Sequence, residues 1–115
     1  METMRAIEAK EKARAIRVAK QKERERLYGI ALTNVIGNWI ARGNKAIKYA
    51  VEHGGYSCRF TFSKIVDRYN NELFEFYAGD TDVWMPVQIH FEEHGYEVKY
   101  NTNSYEMEIS WEQVN

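Results

Sequence analysis

DVWMPVQIHFEEHGYEVKYNTNSYEMEISW, residues 82–111, contains a helix, a stop and a hairpin in succession. The apolar residues before His94 recur at helical spacing, and Gly95 ends the helix. Tyr96, Val98 and Tyr100 then share one face of a strand. Tyr105, Met107, Ile109 and Trp111 share one face of the next, across the polar turn Asn101-Thr102-Asn103-Ser104. Alternation of period two with a turn cluster between predicts an antiparallel hairpin with one buried face.

Working back from there, Gly79-Asp80-Thr81-Asp82 reads as a connecting turn, and Pro86 falls in the first turn of the helix after Asp82. Such a position tolerates a missing N–H. Ser63 is a natural N-cap, and Ile65, Val66, Tyr69, Leu73, Phe76 and Tyr77 make a helical face, so a helix is predicted over 64–77. Before it, Tyr56, Cys58, Phe60 and Phe62 alternate with Ser57, Arg59, Thr61 and Ser63 as in a half-buried strand. Lys45 to His53 reads as a short helix closed by Gly54-Gly55, separated by a stop at Arg42-Gly43-Asn44 from an apolar helix starting at Leu27.

That apolar helix carries Leu27, Ile30, Ala31, Leu32, Val35, Ile36, Trp39 and Ile40. Beside them runs a stripe of small residues four apart: Gly29, Thr33, Gly37 and Ala41. Interior glycines cost about 1 kcal/mol each against Ala, so a close neighbour is the expected cause. The preferred occupant is another element of the same domain, and a second copy of the chain is the alternative. Residues 1–26 differ: good helix formers, no Gly or Pro, and no continuous apolar stripe, with pairs such as Glu8–Lys12 expected to add support. The resulting expectation is an α+β fold of order α-α-β-α-α-β-β. A projecting basic arm (1–26) precedes a compact body (27–115), whose three-stranded antiparallel sheet has helices packed on one face.

Charge divides along the same line. Residues 1–48 hold 12 Lys+Arg against 5 Glu, a net +7; residues 49–115 hold 4 against 12 Asp+Glu, a net −8. Hydrophobic residues make up 44% of the chain, enough for a core, which excludes general disorder. No apolar run is long enough to cross a bilayer, and the charged N-terminus is not a signal peptide, so no membrane partner is expected. A lone cysteine, Cys58, fits a reducing compartment such as the cytoplasm and reads as a structural thiol beside Phe60.

Few residues suggest chemistry. His90, Glu93 and His94 have the H-x-x-E-H spacing, which puts two imidazoles on one helix face with a carboxylate as general base. So short a pattern arises readily by chance, and no third ligand is evident, so packing and a favourable C-terminal charge are the preferred reading. No phosphate loop or nucleophile triad is apparent. The expectation is therefore a protein that is not an enzyme and needs no cofactor. Arg17, Lys20, Arg24 and Arg26 would steer a partner, with Tyr28 and Trp39 as anchors. That partner would be another protein or a second copy; the alternative is nucleic acid held by the cations of residues 1–26. The outward Glu97, Glu106, Glu108 and Glu112, with Glu92 and Glu93, also raise the idea of an acidic surface imitating DNA, against which stands ordinary edge protection.

Phe91-Glu92-Glu93-His94-Gly95-Tyr96-Glu97-Val98, followed by a hairpin ending Ile109-Ser110-Trp111, resembles the C-termini of many small tailed-bacteriophage accessory, early or minor virion proteins. The resemblance covers about a quarter of the chain. It implies a phage origin, action by binding a virion or host protein, and residence in a bacterial host cell or a virion.

Overall fold

The computed structural model describes residues 2–113. Its elements are α1 (Ala6–Glu52), β1 (Ser57–Thr61), β2 (Ile65–Tyr69), β3 (Glu72–Phe76), α2 (Thr81–Glu93), β4 (Glu97–Asn101) and β5 (Glu106–Ser110). The α+β class is as expected, and the order is α-β-β-β-α-β-β. The molecule measures 79 × 23 × 23 Å, because one helix of 47 residues runs through and beyond the body.

β5 is the centre of an antiparallel sheet ordered β1-β5-β4, with Cys58 opposite Ile109, Phe60 opposite Met107 and Val98 opposite Ile109. Of the inward residues that the alternation predicts, Val98, Met107 and Ile109 are buried and Tyr100 half-buried, but Tyr105 is not among them: it lies in the turn before β5 with a left-handed φ of 58° and is 41% exposed. Asn101 shapes the turn, its Oδ1 accepting from the amides of Asn103 and Ser104. α1 and α2 both cover the inner face of this sheet, α1 against β1 and α2 against β4. α2 opens at Thr81, so Pro86 is its sixth residue and lies past the first turn. Tyr56 is mostly exposed and lies outside β1, while Phe62, just beyond the strand, is buried.

Two of the expected helix assignments are overturned. No stop occurs at Arg42-Gly43-Asn44, where α1 continues unbroken to Glu52. Gly43 is there because the Phe91 ring of α2 crosses the helix at that point; a Cβ would lie 2.4 Å from its Cζ. The expected helix over 64–77 is instead the β2–β3 hairpin, in a separate two-stranded sheet. Its loop is Asn70-Asn71, with φ of 46° and 67°, a left-handed pair suited to a two-residue hairpin turn that Asn tolerates. Ile65 faces Phe76 and Asp67 faces Phe74 across the pair, which puts Phe74 and Phe76 into the core. The same residues fit both periods, and the turn decides between them.

α1 meets the body through Leu27, Ala31, Val35, Trp39 and Gly43, all buried and each four residues apart. Such a row winds obliquely around a helix, so the body wraps α1 instead of lying along it. At its start Tyr28 stacks on Phe76 with centroids 5.6 Å apart; midway Trp39 stacks on Phe62 at 4.4 Å; at its end Phe91 sits on Gly43. The small-residue stripe lies on the other side. Gly29, Thr33, Gly37 and Ala41 are exposed, and a Cβ at Gly29 or Gly37 would meet nothing within 4 Å. The expected groove for another element of the same chain is therefore not formed among the described residues.

The glycines thus make opposed predictions, measurable by denaturant unfolding. Gly43→Ala should destabilise by about 1–3 kcal/mol by overpacking Phe91. Gly29→Ala and Gly37→Ala should each stabilise by about 0.5–1 kcal/mol, as in an exposed helix interior. A loss at Gly29 would mean that its face is covered in solution.

Tyr100 ties the sheet to the loop before α2: its hydroxyl donates to the Ala78 carbonyl, and its ring stacks on Trp84 at 4.6 Å. Burial, and secondarily the nearby Tyr105, pushes its phenol up to about 12. The unfolded chain releases that proton near pH 10. The unfolded state therefore loses a proton that the folded state keeps, and Tyr100's contribution to stability should fall as pH rises from about 10 to 12. Alkaline melting curves of Tyr100→Phe should be flatter across that window; equal slopes in both proteins would contradict this account.

Candidate interaction surface

The functional candidates fall on the first half of α1, where every described residue from Glu2 to Arg26 is exposed. Burial begins at Leu27. The stretch Ala6–Arg26 therefore extends over about 31 Å as a helix with no buried side chain, touching the body only near its end, through Arg24. Its N-terminus has no side-chain cap, and its Met4, Ile7, Ile16 and Val18 are all exposed. Among the described residues the Glu8–Lys12 pair is not formed, and the one ion pair within the arm is Arg26 to Glu23, at 2.6 Å. That bond holds the Glu23 carboxyl below the usual carboxylate range and raises the Arg26 guanidinium.

At 100° per residue, Lys10, Arg14, Arg17, Lys20 and Arg24 share an arc of about 120°. Glu8, Glu11, Glu23 and Glu25 all lie outside it, with Lys12, Lys22 and Arg26 among them. The charges that alternate along the arm, eight Lys+Arg against four Glu over residues 6–26, are separated around it. This separation was readable in the sequence once the helix was taken as continuous, and the count of charges along the chain concealed it. The arc runs on directly into Ala31, Val35 and Trp39, so the face that is apolar inside the body becomes basic where the body ends.

Where the arm leaves the body, it forms a notch of about 760 Å³ with the β2–β3 hairpin. Gln21, Arg24, Glu25 and Tyr28 line it on one side and Leu73, Phe74 and Glu75 on the other. Arg24 pairs with Glu72 and lies over the Phe74 ring, 5.0 Å from its centroid. Glu75 is bonded by Lys64 at 3.3 Å and by the Tyr77 hydroxyl at 2.7 Å, and both bonds lower its carboxyl. Tyr28 is partly exposed; burial, then Asp82 and Asp80, raises its phenol. The carboxylates Glu72 and Glu75 at the hairpin side of the notch are thus already matched by cations.

Of the expected partner-binding residues, the structure places Arg17 and Lys20 on the exposed basic arc and brings Arg24 and Tyr28 to the notch. Arg26 is turned to the mixed-charge side. Trp39 is 1% exposed and cannot anchor a partner, because it fills the core under Phe62 with Arg42 over its other edge. Apolar helical spacing alone did not distinguish a buried Trp from a presented one. Leu73, which the helical reading of 64–77 hid, is 46% exposed at the notch.

His90 and His94 come together on α2 with ring centroids 4.5 Å apart, and the His94 Nδ1 is 2.7 Å from the His90 carbonyl. That contact holds the His94 ring against its own helix. His53 lies elsewhere, stacked on Tyr49. Among the described residues no three His, Cys, Asp or Glu side chains converge to hold a metal. Cys58 is half-buried opposite Ile109, and burial pushes its thiol up, away from nucleophilic use. Outward on the three-stranded sheet, Arg59 bridges Glu108 at 3.0 Å and Glu106 at 3.9 Å, and Lys99 stands in register with Glu108. These bases interrupt the outward acids, so no continuous acidic stripe forms there. No helix among the described residues is long and apolar enough to cross a membrane. No protein-family model, curated protein or solved structure matches the chain.

Proposed function

We infer that this is a non-enzymatic interaction protein that docks a macromolecular partner along the arm of α1, with the body acting as the clamp. One observation carries the reading: a single helix is locked into the core from Leu27 onward, while the 21 helical residues before it bury no side chain and are exposed throughout, Arg24 alone reaching the β2–β3 hairpin. A polar helix with no face to bury gains little from folding on its own. Continuity with the packed half supplies its nucleus, and the arm is thereby presented in one direction. The likeness of the C-terminal hairpin to tailed-phage accessory and virion proteins, which implies action by binding in a host cell or virion, supports the same reading.

The test is site-specific photo-crosslinking in the producing cell. A crosslinking side chain at Ala13, in the middle of the basic arc, should form a discrete adduct at least tenfold more abundantly than one at Thr102, in the distal β4–β5 turn. Equal yields at the two sites, or none at Ala13, would sink the reading.

A further inference from the structure

We propose that the basic arc of the arm binds the phosphate backbone of duplex DNA without base readout, the duplex entering on the side of the arm that faces the β2–β3 hairpin. This rests on the reading of the arm as the docking element and names what it docks.

Three observations carry it. The first is the charge separation itself. Lys10, Arg14, Arg17, Lys20 and Arg24 follow one another at intervals of four, three, three and four residues over about 21 Å of helix, with no carboxylate among them. Among the described residues, Lys10, Arg14, Arg17 and Lys20 stand in no ion pair, so their charge is uncommitted. Secondly, the only other residues in that arc are small or polar, including Ala13 and Gln21. A protein interface needs apolar or aromatic anchors at its centre and is depleted in Lys. This face has Lys and no anchor, whereas phosphate binding asks only for cations and close approach. Thirdly, the hairpin carboxylates nearest the root of the arm are matched by cations, Glu72 by Arg24 and Glu75 by Lys64, and Arg68 adds an exposed cation to the hairpin; Glu25, the remaining carboxylate at the notch, lies outside the basic arc and accepts from the Gln21 amide at 3.4 Å.

The same observations rank the alternatives. A second copy of the chain would have to offer a concentrated acidic face, and the outward acids of the sheet are interrupted by Arg59 and Lys99. A single strand would want aromatic faces to stack on. The arm has none, and the first aromatic after it, Tyr28, is already stacked on Phe76. A bare helix of this width fits the major groove of a duplex, about 12 Å across.

The experiment is fluorescence anisotropy of the full-length protein with a labelled 20-base-pair duplex, from 50 to 300 mM salt. The four uncommitted cations predict a slope of log K against log salt between about −3 and −4. Arg14→Gln with Arg17→Gln should weaken binding at least tenfold at 100 mM salt and reduce the slope by about 2. Lys12→Gln with Lys22→Gln removes the same charge from the opposite side and should change affinity less than twofold. All four positions are exposed, so unchanged melting curves will accompany both variants. Equal losses in the two double variants would show diffuse attraction and overturn the proposal; so would tighter binding of a single strand of the same length, or no binding at 50 mM salt. Nuclease separates the two levels of inference. An Ala13 adduct that survives nuclease and yields to protease would refute DNA while leaving the arm as the docking element. Failure of the adduct itself would remove both.

Discussion

The oblique seam from Leu27 to Gly43 is the contact on which the molecule depends, because it is the attachment of a helix far longer than the body that holds it. Five residues four apart carry the attachment, with aromatic rings seated on it at the start, middle and end. Stacked or edge-on rings contribute about 0.5–1.5 kcal/mol each beyond their buried area. Gly43 matters for the opposite reason. Its missing side chain lets Phe91 reach the helix, which brings α2 and, behind it, the β4–β5 hairpin close enough to share one core.

From that attachment follows the distribution of charge. The face that packs on the body must be apolar between Leu27 and Gly43, and the same face is free of that demand once the body ends. There the cations gather, and the carboxylates of the arm lie around the other side. The hairpin of β2 and β3 stands at the transition, with Arg24 of the helix paired to Glu72 and resting on Phe74. A net charge near zero is therefore a poor description of this protein. Its electrostatics come from the angular placement of charges on one rigid rod.

Much of the body was legible in residue order. The β4–β5 hairpin and its inward set, Tyr105 apart, followed from alternation, since a period of two has few other physical readings when polar turn residues stand between the runs. Residues 64–77 were not legible by the same rule. Ile65, Tyr69, Leu73 and Phe76 satisfy a helical period, and Phe74 and Phe76 with Ile65 satisfy a strand period; Asn70-Asn71 was the one local signal favouring the turn. Gly43 illustrates a different limit. A glycine flanked by Arg and Asn has the composition of a helix stop, and only the neighbour that crosses it reveals a packing role. Trp39 reads as a presented anchor for the same reason: residue type specifies what a side chain can do, and burial decides whether a partner can reach it.

The amino-acid sequence by itself determined the α+β class, the helix-forming arm, the hairpin at the C-terminal end and the contrast between a basic first half and an acidic second half. These rest on local physics, on periodicity, turn chemistry and charge, which neighbouring residues settle among themselves. Only the tertiary structure decided that one helix runs unbroken through the apparent stop and that a second hairpin replaces a helix. It also decided that the small-residue stripe is left uncovered by this chain and that the basic face looks toward the notch. Each of those depends on which distant residues come to share a contact, and separation along the chain does not encode that.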